Sequence, residues 1–187
     1  LELFRKLSTE SPVSEQAFGS VKTEELTEQV YEAAMASYER HGKITADQAM
    51  PVITDVFLNQ GQQYENIVVP ITDGMKTMQV VTNLQKTYKS QGQELISSIE
   101  KYITLAIIDN EWKEHLREMD ELRRSVQNAS IEQKDPLLIY KLESFNLFKA
   151  MIERINGDVV GFLAKAGLPS AQPQVQQAQA PRPPQQR

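Results

Sequence analysis

The sequence predicts a mainly α protein: a long antiparallel helical hairpin plus a small helical domain carrying one β-hairpin, followed by a disordered C-terminal tail. Three observations carry that prediction. From about Gln93 to Gln127 apolar residues recur at helical spacing, with Leu105, Trp112, Met119 and Val126 on a seven-residue interval and Ile108 and Leu122 as companions. Beyond a short polar turn ending in Gln133-Lys134-Asp135-Pro136, the same interval returns at Leu138, Phe145, Ile152 and Val159, joined by Phe148, Ile155 and Phe162. Upstream, Asp73-Gly74 lies between two β-prone runs, the strongest short hairpin signal and the one strand signal in the chain. Two apolar stripes with one short connection imply a coiled-coil-like seam, whose first arm would be about 50 Å long at 1.5 Å per residue. The tip between the arms is the first place to look for function.

Composition narrows the classes. A chain of 187 residues with 40% hydrophobic and 24% charged content can bury a core in one domain or two. The net charge of −5 argues against nucleic acid as a main partner. With no Cys, these residues can form neither a disulfide nor a thiolate metal site, which fits a reducing compartment. No apolar run approaches the roughly 20 residues of a membrane-spanning helix, and no signal peptide is visible. The chain opens Leu1-Glu2-Leu3-Phe4 without Met, as a piece of a longer protein would.

Leu1 to Leu7 reads as one turn of amphipathic helix, and Ser8 to Ser20, with Pro12 and Gly19, as a loop. A helix begins near Glu24, with Leu26, Val30, Ala33, Ala34 and Tyr38 sharing one face and His41-Gly42 as its stop. Thr45-Ala46-Asp47-Gln48 matches a capping box that opens a second helix carrying Met50, Ile53, Val56 and Phe57, which Pro51 kinks or shortens. The hairpin spans 66–81, and a two-residue turn at Asp73-Gly74 sets Val69 against Met78 and Ile67 against Val80. Pro70 suits an edge strand. Asn83 to Ser90 is read as helical, broken by Gln91-Gly92 before the long arm. Asp135 and Pro136 are a good N-cap and first helical residue for the second arm, and Gly167 its left-handed terminator, with Pro169 beyond. Residues 170–187, nearly all Gln, Pro, Ala and Arg, have no apolar face to bury.

Catalytic chemistry is scarce, and no catalytic, cofactor-binding or metal residue is assigned. There is no phosphate loop: Gly42-Lys43 is followed by Ile44, and Ser37 stands where the loop's first Gly belongs. The two histidines, His41 and His115, lack metal-ligand spacing. His115, beside Glu111 and Glu114, reads as a surface pair or packing hydrogen bond rather than a general base. Trp112 and Phe145, with Leu116, Met119, Phe148 and Ile152, read as hairpin packing. Arg117, Arg123 and Arg124 with Glu114, Glu118, Asp120 and Glu121 read as a solvated mixed-charge face. At the tip, Ser130-Ile131-Glu132-Gln133 places one bulky aliphatic among polar residues. The residues alone lead to a helical interaction module.

The wording of the arms goes further. Ile108-Asp109-Asn110-Glu111-Trp112-Lys113-Glu114-His115-Leu116, then Met119-Asp120 and Leu122-Arg123, resembles the C-terminal helical region of the bacterial preprotein translocase motor family SecA. So does Gln133-Lys134-Asp135-Pro136 with Tyr140-Lys141, Glu143-Ser144-Phe145, Phe148 and Met151. The match covers about Gly92 to Leu168, and the stretch from Ser11-Pro12-Val13 through the helix ending at His41 looks like the family's helical wing domain. The resemblance implies a wing domain over 1–91, with 42–91 an insertion into it, a two-helix finger of the helical scaffold domain over 92–169, and a linker over 170–187. It also implies an ATP-driven motor that pushes unfolded preproteins through the SecYEG channel from the cytoplasmic face of the inner membrane. ATP and Mg²⁺ would be held by domains outside these residues, a zinc-binding segment could follow the linker, and a homodimer is allowed. By the same resemblance the tip residues Ser130, Ile131, Glu132 and Gln133 touch the translocating chain, and the finger restrains ATP hydrolysis. Many relatives carry Tyr where Ile131 stands. The rival expectation is a free-standing helical adaptor.

Overall fold

The computed structural model describes residues 2–14, 18–129, 135–169 and 176–177. In chain order the elements are α1 (Glu2–Leu7), α2 (Thr23–Gln60), β1 (Asn66–Thr72), β2 (Thr77–Asn83), α3 (Leu84–Lys89), α4 (Gln93–Ala129), α5 (Pro136–Leu163) and β3 (Gln176–Gln177). The mainly helical class with one β-hairpin is as the sequence predicts. Two compact units result: residues 1–102 with 162–187, and residues 103–161.

The first unit differs from expectation at α2, which is one helix of 38 residues rather than two. Its interior contains Gly42, the expected stop, and Pro51, whose ring removes the N–H that would bond the Asp47 carbonyl. Packing overrides both breakers. Ala46, Ala49 and Ile53 lie on one buried face, and the Thr45 hydroxyl donates to the Ala166 carbonyl instead of capping a new helix. Gly92, at the start of α4, has φ +90°, and a Cβ there would sit 2.8 Å from the Ala46 Cβ. Glycine thus serves twice, in the left-handed turn between α3 and α4 and in the close approach of that turn to α2.

The strands pair two residues out of the expected register. Val69 faces Val80, Ile71 faces Met78 and Ile67 faces Thr82. A type I′ turn needs positive φ at both central residues, and only Gly74 has it, at 89°. The loop instead runs from Asp73 to Lys76, with the Asp73 carboxylate accepting from the N–H groups of Met75 (2.9 Å) and Lys76 (2.7 Å). Burial would raise the Asp73 carboxyl, but those backbone donors, Lys76 first, hold it below the usual carboxylate range. A shift of two leaves every side chain on its expected face. Ile67, Val69, Ile71 and Val80 are accordingly buried with Leu84, Leu95 and Ile99.

Hydroxyls tie β2 to α3 and α4. The Ser98 hydroxyl donates to Thr82 Oγ1 (3.1 Å), Thr82 lies 2.8 Å from Thr87 Oγ1, and Thr87 donates to the Asn83 carbonyl (2.7 Å). With Thr87 already donating, Thr82 must donate to it, so the buried chain is satisfied in one direction. Asn83 also caps α3 by accepting from the Lys86 N–H.

The end of α5 returns to this unit. Gly167 is not a left-handed terminator, because the Lys165 and Ala166 N–H groups close the helix on the Phe162 and Leu163 carbonyls (3.0 and 3.3 Å). Gly167 exchanges two backbone hydrogen bonds of 2.9 Å with Thr72, and His41 Nδ1 donates to the Ala164 carbonyl at 3.1 Å. Of the tail, only Gln176–Gln177 is described, as β3 on the side of β1 opposite β2.

Gly92→Ala should therefore destabilise the protein by about 1–3 kcal/mol, measured by denaturant unfolding, because it strains the turn and collides with Ala46. An unchanged midpoint would mean that the turn is not held as described.

Candidate functional site

The second unit contains the paired arms of α4 and α5, and Glu111, His115 and Glu118 define the contact face of α4. Arg154 on α5 donates through Nε to Glu111 (2.7 Å) and through a terminal nitrogen to Glu118 (3.3 Å). Glu111 and Glu118 are seven residues apart on one helix face, so one guanidinium spans two turns of the facing arm. The hydrogen bond to Glu111, helped by the nearby charge of Glu118 and opposed by burial, holds Arg154 above its already high ordinary range. Met151 and Val126 are buried in this unit.

His115 is 6% exposed, and its Nδ1 has no hydrogen-bond partner among the described residues. It is neither the surface pair nor the packing hydrogen bond expected of it. Its ring lies 5.6 Å from Trp112 and 6.0 Å edge-on from Phe148, so it acts as a flat aromatic wedge between the arms.

The residues expected to hold the arms together lie largely outside this seam. Trp112 is 47% exposed, Leu116 49%, Phe145 64%, Phe148 46% and Ile152 38%, with Met119 half-buried. Phe148 still reaches the seam through His115. The seam is thus rotated by about one residue from the heptad reading, since both helices carry apolar side chains over more than one stripe and the charged trio selects which stripe faces inward. Leu105, Ile108, Trp112 and Leu116 form an exposed apolar row on α4, and Leu138, Leu142, Phe145 and Ile152 another on α5. The available signal was the 111/118 glutamate pair set against an arginine inside an apolar stripe. The expected mixed-charge surface forms in part: Arg117 pairs with Glu114 at 2.6 Å and the Arg124 side chain donates to the Asp120 carbonyl, with Lys113 paired to Asp109 beside them, whereas Glu118 is turned to Arg154 in the seam.

The expected tip residues Ser130, Ile131, Glu132 and Gln133 lie outside the described residues. In the first unit an open groove of about 740 Å³ is lined by Tyr38, Lys43, Asp47, Gln91 and Glu100 among others. There the Tyr38 hydroxyl donates to Glu100 at 2.6 Å, and burial, then the Glu100 bond and charge, push that hydroxyl well above the ordinary tyrosine range. The Tyr38 hydroxyl and the Glu100 carboxylate thus satisfy each other. Among the described residues no group of three or more His, Asp or Glu side chains could hold a metal ion, and no helix is long and apolar enough to cross a membrane.

Residues 3–167 match the family model described as the SecA wing and scaffold domain. The chain is similar to the protein translocase subunit SecA of Flavobacterium psychrophilum, 49% identical over 95% of this chain and 16% of that protein. It is also 52% identical to that of Christiangramia forsetii over 90% of this chain and 15% of the relative, and 46% identical to that of Bacteroides fragilis over 97% and 16%. The chain thus spans about one sixth of the length of these relatives. No solved structure matches it.

The rotated seam has a measurable consequence. Met151→Ala should cost about 2–4 kcal/mol in denaturant unfolding, because it empties a buried site. Phe145→Ala should cost less than about 1 kcal/mol. The reverse order would restore the heptad seam. A double-mutant cycle on Arg154 and Glu111 should give coupling of at most about 1 kcal/mol, since the guanidinium is part-exposed, and it should shrink with salt.

Proposed function

The chain belongs to the SecA wing and scaffold family, and on that premise we propose that it is the wing and two-helix finger of a translocase motor. In this reading the whole protein couples ATP hydrolysis to the passage of unfolded preproteins through the SecYEG channel. It works at the cytoplasmic face of the membrane without crossing it. ATP and Mg²⁺ are bound by other domains of that protein, and these residues contribute no ligand to them.

The arms α4 and α5 present the turn between them to the moving polypeptide, with Ile131 as the apolar contact and Ser130, Glu132 and Gln133 beside it. The observation that supports this most directly is the Arg154 bridge to Glu111 and Glu118. A finger transmits force only if its arms do not splay, and a cation held by two carboxylates on the opposite arm resists both splaying and sliding. The exposed rows around Trp112 and Phe145 are proposed as seats for neighbouring domains of the whole protein. Large exposed apolar patches commonly mark contact surfaces, and restraint of ATP hydrolysis would be transmitted through these contacts.

In the full-length protein, Ile131→Gly should reduce preprotein translocation into membrane vesicles and leave basal ATP hydrolysis at the wild-type rate. Undiminished translocation would remove Ile131 from the contact. Trp112→Glu should instead raise basal hydrolysis by loosening the finger from its seat, and an unchanged basal rate would count against the seating role.

A further inference from the structure

The outer edge of β1 carries backbone hydrogen-bonding groups that β2 does not use. Thr72 bonds Gly167 through both its N–H and its carbonyl. Because these groups alternate sides along an antiparallel strand, Pro70 and Val68 turn theirs to the same outer edge. Pro70 has no N–H to give, so the edge is divided by a residue that cannot continue a ladder. On the far side of that break, Val68 pairs with Gln176 and Ile67 with Gln177. The chain leaving α5 therefore meets this edge twice, at Gly167 and at Gln176–Gln177, in the same antiparallel direction. The inner face of β1 is fixed by burial of Ile67, Val69 and Ile71, which makes the strand a rigid template.

We infer that the outer edge of β1 is an acceptor for an extended, uncharged polypeptide strand, and that Gln176–Gln177 is the strand it holds. Strand addition of this kind draws its affinity from the main chain and asks little of the side chains. That suits a segment from Ser170 to Pro181 without a charged residue and rich in Gln. Docking there also blocks the edge against unrelated strands, which an open edge would otherwise recruit. A partner using the surface must be a second extended, uncharged chain that displaces the tail. The inference does not rest on the translocation reading, and failure of either leaves the other standing.

The test is hydrogen–deuterium exchange over residues 66–72 in the full-length protein. Gln176→Pro deletes the N–H that points at Val68, whereas Gln177→Pro deletes one that points away. The first should speed exchange at Val68 by at least about tenfold, as loss of a local hydrogen bond does, and the second should leave it nearly unchanged. Ending the protein after Pro169 should match Gln176→Pro, and a labelled peptide of Ser170–Pro181 should bind the shortened protein but not the intact one. Unchanged exchange in both Gln176→Pro and the shortened protein, or equal effects of the two proline substitutions, would overturn the inference. So would a peptide that binds both proteins equally or neither.

Discussion

The pairing of α4 with α5 depends on where the Arg154 guanidinium goes. A part-buried arginine in an apolar stripe must find anions, and the two available on the facing arm are Glu111 and Glu118. Meeting both fixes the register along the helices and the rotation of each about its own axis. Trp112 and Phe145 are then turned outward, and His115 is drawn into the seam between Trp112 and Phe148. The bridge adds little to stability, because a part-exposed pair is screened. Its contribution is to make one pairing of two broadly apolar helices better than its alternatives, as buried polar groups do in coiled coils. His115 shows the cost of that choice: an imidazole nitrogen removed from water without a partner among the described residues.

The first unit rests on a different constraint, close backbone approach. Small residues line the meeting of α2 with the α3–α4 turn, where Gly92 and Ala46 leave room for nothing larger. That proximity lets α2 pass through Gly42 and Pro51 without ending, since each helix-breaking cost of about 1–3 kcal/mol is offset by burial of Ala46, Ala49 and Ile53 on the same face. The hydroxyl chain from Ser98 through Thr82 and Thr87 to Asn83 supplies direction where apolar packing supplies none.

Much of this was legible in the residues. Periodicity located both arms, Asp135-Pro136 marked the start of α5, and Asp-Gly located the β-hairpin. What escaped was decided by partners distant in sequence. Thr45 looks like a helix cap until Ala166, 121 residues away, accepts its hydroxyl. Gly167 looks like a helix terminator until Thr72 claims it. The strand register departs from that of a two-residue Asp-Gly turn because Asp73 acts through its carboxylate on Met75 and Lys76 and not through a positive φ. The seam lies off the heptad stripe because a heptad count weights every apolar residue equally and gives no weight to a cation that needs two anions. The tip, chosen from sequence as the functional contact, lies outside the described residues.

The exposed rows on α4 and α5 set a condition on any function assigned to these residues. Trp112 and Phe145 are among the largest apolar side chains in the chain, yet they stand about half open or more. Single exposed apolar residues are unremarkable, but four at helical spacing on each arm form a stripe. A helix with one stripe in the seam and another outside it is patterned for two neighbours. One neighbour is the opposite arm, and the other, on the reading proposed above, is a neighbouring part of the whole protein. This agrees with a chain spanning about one sixth of its relatives. A free-standing adaptor would carry the same stripe for a foreign helix. The family match over residues 3–167 favours a neighbour within the same protein on that reading, because a covering surface encoded in the same chain is present at high effective concentration whenever the arms are made.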